Sequence, residues 1–464
     1  MVKARVPLIN GIRSLAYRLF RNQDDSLKAC VRLSKTGNAE CGTACRPRRA
    51  RPEAHSCGVA LLAKGYGHYL RSASGTCTLQ ITQRPYAINQ RCPRIAASLL
   101  VAGLFVGSVS AQDLGIVGSS PYEFITQDWM KPFAGDGFTW GGTSGIYVES
   151  ADRIFVLQRG ETELPDPLPE EYTNFAGSLG WNVLGGRGRV WQNCIYIIDS
   201  EGNLLEVWDQ WDHLFTGTDG PGPHRIRISP YDPEKRVWVV DETGHIIYVF
   251  SNDGNDLLMT LGEKNIPGTD ETHYAQPQDV AFLPDGKFLI ADGLRNTRIV
   301  VRDADGSYIS EFGEEGDAPH QFGSVHALAF GPDERLYALD RDNLNIKVFQ
   351  QTENRNSDSY PSYDYVTTWG DLGMPLDITV SDSAAWVTDL NPPKIVQFNL
   401  DGSRKYTWNL PVEGPDFWIE MHSVSVDEDG NLYGTDNQAG RPQKMVPRSD
   451  SASDLIVGTP YVPH

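Results

Sequence analysis

Residues 277–292, PQDVAFLPDGKFLIAD, read as an inward-facing residue, an alternating apolar strand, a polar turn and a second strand that ends in aspartate. The same pattern recurs between Gly222 and Pro447 as PHRIRIS…RVWVVD, VHALAFGPDERLYALD, LDITVSDSAAWVTD and MHSVSVDEDGNLYGTD. Aligning the apolar alternation places His224, Gln278, His326, Leu376 and His422 at one equivalent position, with steps of 54, 48, 50 and 46 residues. A repeat of about 50 residues built of short strands is the signature of a propeller blade. Histidine falls on every second repeat, so three histidines two blades apart point at one axis from three directions. One more blade precedes these five. The expected fold is all-β, a six-bladed β-propeller with a central metal site.

Working outward, the composition divides the chain. Up to Ala111 there are 17 Lys and Arg against 4 Asp and Glu, whereas the remainder sets 24 basic residues against 56 acidic ones. Cys30, Cys41, Cys45, Cys57, Cys77 and Cys92 lie in the basic part, and Cys194 stands alone after it, so the acidic part has no internal disulfide. Cys41, Cys45 and Cys57 lack the regular second pair of a zinc knuckle. From Arg91 the order is a basic RCPR, an apolar IAASLLVAGLFVG and a small-residue end at Val109-Ser110-Ala111, which is the order of a secretory signal cleaved after Ala111. The apolar run is shorter than the roughly 20 residues that span a bilayer. We therefore read 1–90 as a leader from an over-extended gene start or as disordered chain, 91–111 as the signal and 112–464 as the propeller. The destination is secreted or periplasmic, with no stable membrane anchor after cleavage. An acidic surface excludes nucleic acid, which needs basic patches.

YEFITQDWMKP alternates over Tyr122 to Trp129 with no partner nearby in sequence. A ring of blades must hide its edges, so this strand is assigned to complete the last blade. The first blade, TSGIYVESADRIFVLQRG, carries Ser144 at the histidine position and Arg159 where later blades have Asp; it resumes at CIYIIDSEGNLLEVW. The interruption at 161–193, rich in Pro, Glu, Gly and Trp, is long enough to be functional and reads as a lid. DPEKR, PDGK, PDER and DEDGN supply hairpin turns. No amphipathic helix of useful length is expected.

Innermost propeller strands line the central channel, so His224, His326 and His422 form a threefold set of imidazoles. Three protein ligands with one open position are the arrangement of a catalytic zinc site. His213, His245, His273, His320 and His464 share no equivalent position and read as surface or turn residues. The recurrent Asp241, Asp292, Asp340, Asp389 and Asp436 are too regular for chemistry and read as backbone-bonding residues in the turns. Arg159 and Arg341, at a channel mouth, suit bidentate binding of a carboxylate, although each alone is equally well a surface ion pair.

Between about Gly141 and Val446 the chain resembles NHL-repeat propellers and, within them, the peptidyl-α-hydroxyglycine α-amidating lyase family. The resemblance rests on FVLQRG, PHRIRIS, LGEKNIPGTDETHYAQPQDVAFLPDGKFLIADGLRNTRIV, SVHALAFGPDERLYALDRDN and MHSVSVDEDGNLYGTDN ending in QKMVP. It implies a six-bladed propeller in which His224, His326 and His422 match the three zinc ligands, and Arg159 and Arg341 the two active-site arginines. The implied reaction cleaves an N-(α-hydroxyglycyl) amide into a shorter amide and glyoxylate. Two positions depart from the pattern. The family has DGY followed by N-x-R, its tyrosine being the proposed base, and this chain has Leu294 there, ahead of Arg295 and Asn296-Thr297-Arg298. After the last histidine, animal members have an Asp that helps hold calcium, and this chain has Ser423, so calcium is not carried over. Their cysteine pair corresponds to Ala275 and Arg295.

Three functions stay open at this point: a secreted zinc lyase of this family, a metal-dependent lyase or hydrolase of other specificity on the same site, and a propeller used only for binding. The expected partner is a small or peptide-derived substrate bearing a carboxylate, and the expected state is a monomer.

Overall fold

The computed structural model describes residues 115–125, 129–130, 137–167, 188–217, 220–352, 362–414 and 416–462. The leader, the signal, the middle of the 161–193 insertion and most of the segment around Tyr360 lie outside the described residues. Among the described residues the helical pieces are short 3-10 turns, such as Asp209–Leu214, and no helix is long and apolar enough to cross a membrane.

Among the described residues, six larger sheets, each built on four antiparallel strands, follow one another, with inner strands Thr143–Ser150, Pro223–Ile228, Asp279–Phe282, Val325–Phe330, Pro375–Val380 and Met421–Val426. Each inner strand contacts the next, and the sixth contacts the first, so the series closes on itself as a β-propeller. The second strand of each sheet is buried on both faces, and its period-2 alternation divides its side chains between two neighbours. In Val237–Asp241, Val237 and Val239 pack toward the first sheet with Ile195 and Ile197, whereas Trp238 and Val240 pack toward the third with Val280 and Ile290. Every sheet-to-sheet interface has its own apolar cluster, including the one between Tyr433 of the sixth sheet and Ile146 and Val156 of the first.

The closing strand sits where the alternation places it. Tyr122–Ile125 pairs antiparallel with Pro442–Pro447 and completes the sixth sheet. Ile116–Gly118, which has no repeat signal, adds in parallel to the outer strand Arg404–Asn409 of the fifth sheet. Tyr122 is fully buried, lies tilted against Trp408 with ring centroids 6.2 Å apart and accepts the Val457 amide on its hydroxyl at 2.7 Å. Tyr122→Ala is expected to cost about 3–5 kcal/mol, the range for emptying a buried aromatic site. Urea unfolding at unchanged m-value measures it, and a loss under about 1 kcal/mol would mean that this strand does not close the ring in solution. The flanks of the insertion are structured: Glu161–Glu163 pairs with Phe138–Trp140 and Arg189–Val190 in a small separate sheet.

Candidate metal centre

The inner strands share a local irregularity. Ser144, His224, His326, Leu376 and His422 each fall at a break in register with the second strand, with pairing resuming one residue later. A bulge of this kind re-aims one side chain out of the ladder. Here it turns the second residue of each strand into the centre of the ring. His224 Nδ1 donates to the Gln278 carbonyl at 2.8 Å, His326 Nδ1 to Leu376 at 2.6 Å and His422 Nδ1 to Ser144 at 2.7 Å. Each histidine therefore leans on the equivalent residue of the next sheet. A carbonyl can only accept, so the proton resides on Nδ1 and Nε2 is left bare.

The three rings meet edge to face, with centroids 4.6, 4.9 and 5.3 Å apart. Their ligand atoms all lie within 4.8 Å of one another. Burial holds all three pKa values well below the ordinary imidazole value, reinforced by neighbouring histidines and arginines. Neutral imidazoles with Nε2 lone pairs converging in a buried space are the donor set that a zinc ion requires. Glu242 borders this group, with Oε2 3.6 Å from His224 Nε2.

The register relocates Arg159. Gln158, not Arg159, occupies the level of Asp241, Asp340, Asp389 and Asp436, because Gln158 pairs with Thr143 as those aspartates pair with the first residues of their inner strands. Arg159 is the residue after that level, equivalent to Glu242 and Arg341, so the two arginines occupy matching places in different sheets. Arg159 is 3% exposed and its guanidinium lies 3.5 Å from Glu242 Oε1. Burial lowers its pKa, and Glu242, Glu420 and Asp241 oppose that shift. Arg341 Nε donates to Asp342 at 3.0 Å, and its charge disfavours protonation of His326 and His422. Glu242 is 5% exposed and accepts the Gln278 side-chain amide at 3.0 Å. Sequence reading passed over it as one acid among many, although its place directly after Asp241, where Arg341 follows Asp340, was the available signal.

The repeated aspartates are structural, as expected. Asp292 accepts the Ala275 amide, Asp340 those of Gly323 and Ser324, Asp389 that of Met374 and Asp436 those of Ile419 and Glu420, each pinning the segment that leads into its own inner strand. Asp241 instead accepts Thr243 and Gly244 in its own turn. One residue further along the inner strands, Arg225 is completely buried. It reaches Asp377 at 3.2 Å, the His422 carbonyl at 3.3 Å and the Leu376 carbonyl at 3.2 Å. Arg227 pairs with Asp279 at 3.1 Å and with Asp377 at 3.2 Å, and Ser423 donates to Asp377 at 3.1 Å. Among the described residues, Arg225, Arg227, Asp279, Asp377 and Ser423 thus form one bonded network just behind the histidines. His213 is exposed and His245 lies in a turn, as expected of surface or turn residues; the His245 side chain is nonetheless buried, with φ 59°, and accepts the Gln276 amide on Nδ1 at 3.0 Å.

No family model matches the chain. Over 240 residues it is 29% identical to a probable peptidyl-alpha-hydroxyglycine alpha-amidating lyase of Caenorhabditis elegans, a match covering 50% of this chain and 62% of that one. It is 33% identical over 217 residues to the peptidylglycine alpha-amidating monooxygenase of Rattus norvegicus, covering 45% of this chain and 21% of that one. NHL repeat-containing protein 3 of Homo sapiens is 28% identical over 165 residues, 34% of this chain and 45% of that one. The chain thus spans less than two thirds of the length of each of these relatives. By sequence it is a relative of the peptidyl-α-hydroxyglycine α-amidating lyases and of the NHL-repeat proteins.

Proposed function

We propose that the protein is a secreted, monomeric, six-bladed zinc lyase that cleaves an α-hydroxyglycine-type amide to an amide and glyoxylate. The observation that carries this reading is the convergence of three Nε2 atoms, each bared by an Nδ1–carbonyl bond, with Arg159 and Arg341 at matching places in the ring. His224, His326 and His422 would hold the zinc, which supplies Lewis-acid polarisation of a hydroxyl oxygen. Arg159 and Arg341 take the substrate's carboxylate, because a guanidinium fork matches its two oxygens. Leu294 cannot accept a proton. Glu242, buried between Arg159 and His224, is the carboxylate placed to do so.

The electron count closes on these residues. The hydroxyl proton passes to Glu242, the O–H electron pair becomes the second bond of the aldehyde C=O, and the C–N bond breaks toward nitrogen. Glu242 then returns the proton to the leaving amide nitrogen, and no external acid, base or redox partner is consumed. Zinc-loaded protein incubated with an N-acyl-α-hydroxyglycine should release glyoxylate in step with the amide. Zinc-bound protein that releases none would overturn the reading.

A further inference from the structure

Beside the metal centre lies a cleft of about 320 Å³, lined in part by Thr243, His245, Asn265, Gln276 and Arg295. It adjoins the centre through short connections. Thr243 follows Glu242 and accepts the Gly222 amide at 2.9 Å, two residues before His224. The Gln278 side-chain amide reaches both the Gln276 carbonyl, at 3.1 Å, and Glu242, at 3.0 Å. Three lining residues, His245, Asn265 and Gln276, hold left-handed φ values of 59°, 64° and 61°. Non-glycine residues in that region concentrate where a site dictates the backbone.

Three of the lining side chains, Arg295, His245 and Asn265, carry N–H donors. Arg295 Nε donates to Gln276 Oε1 at 2.8 Å, which orients the guanidinium, and among the described residues no carboxylate lies within ion-pair distance of it. His245 accepts the Gln276 amide on Nδ1 at 3.0 Å, so the proton of the neutral ring is on Nε2. The Asn265 side-chain amide adds further donors. In a chain of net charge −19, a cleft that offers a guanidinium, an imidazole N–H and a primary amide without an acidic wall is built for an anion.

We propose that this cleft is a carboxylate subsite for the acyl side of the substrate, so that the enzyme prefers an acidic residue immediately before the hydroxyglycine. The position of the ligand rests on the lyase reading; the anion preference rests on the cleft alone. The test uses the zinc-loaded full chain and two unreactive ligands that lack the hydroxyl, N-acetyl-aspartyl-glycine and N-acetyl-asparaginyl-glycine, which are nearly isosteric. Calorimetry should show the aspartyl ligand binding at least about tenfold tighter, as one charge-assisted bidentate contact would give. Arg295→Gln, a change at an exposed side chain, should bring the two ligands within about twofold of each other by weakening only the aspartyl one.

Equal affinities in the unaltered protein, binding of neither ligand, or a preference that survives Arg295→Gln would each overturn the subsite. Glyoxylate release from the corresponding hydroxyglycines separates the two ideas. Release with no aspartyl preference sinks the cleft and leaves the lyase. An aspartyl preference erased by Arg295→Gln, with no release, sinks the lyase and leaves the cleft.

Discussion

Alanine in place of His224, His326 or His422 should lower zinc affinity by more than the about 10–100-fold that follows loss of an outer-shell partner, since a ligand itself is removed. All three variants should behave alike, because each histidine has the same bulge, the same Nδ1–carbonyl bond and the same burial. A fold cost accompanies the change. The carbonyls of Gln278 and Ser144 each lose a donor in a buried place, worth about 1–3 kcal/mol if water cannot reach them, whereas the Leu376 carbonyl keeps the Arg225 guanidinium. Zinc content by elemental analysis, read beside circular dichroism, separates metal loss from unfolding. Folded variants with unchanged zinc would remove the three histidines as ligands.

Glu242→Gln should cut kcat by about 10²–10⁴, the usual contribution of a positioned proton acceptor. The substitution keeps the shape, and the new side-chain oxygen can still accept the Gln278 amide, so KM and zinc content should change little. Leu294→Tyr introduces a phenol at the position where the family resemblance implies a tyrosine base. In the Glu242→Gln background it should recover part of the lost rate, and in the unaltered protein it should add little. Glyoxylate release by the four proteins, side by side, decides the matter. A Glu242→Gln enzyme that keeps a third or more of its kcat would show that another group takes the proton.

Much of this was legible in the chain because the propeller repeats its geometry. The bulged position falls at a constant offset in the inner strands, so aligning the alternation was enough to put His224, His326 and His422 on one level. The closing role of Tyr122–Ile125 followed from the lack of any local partner for an alternating segment. From sequence, Arg159 reads one residue out of place because its blade carries Gln158 where the others carry Asp, which hides the end of the strand. Glu242 was obscured by abundance, since one carboxylate among 60 acidic residues has no local mark of burial. The parallel pairing of Ile116–Gly118 with residues almost 300 positions away leaves no local trace at all.

The bond from His422 to Ser144 joins positions 278 residues apart, across the seam between the last sheet and the first. During synthesis the segment with Ser144 emerges well before His422. Until the ring shuts, nothing fixes the His422 tautomer, and the third donor is neither aimed nor stripped of its competing proton. Completion of the three-histidine group is therefore a finishing step in the folding of this chain, and an ion taken up there would report a closed ring.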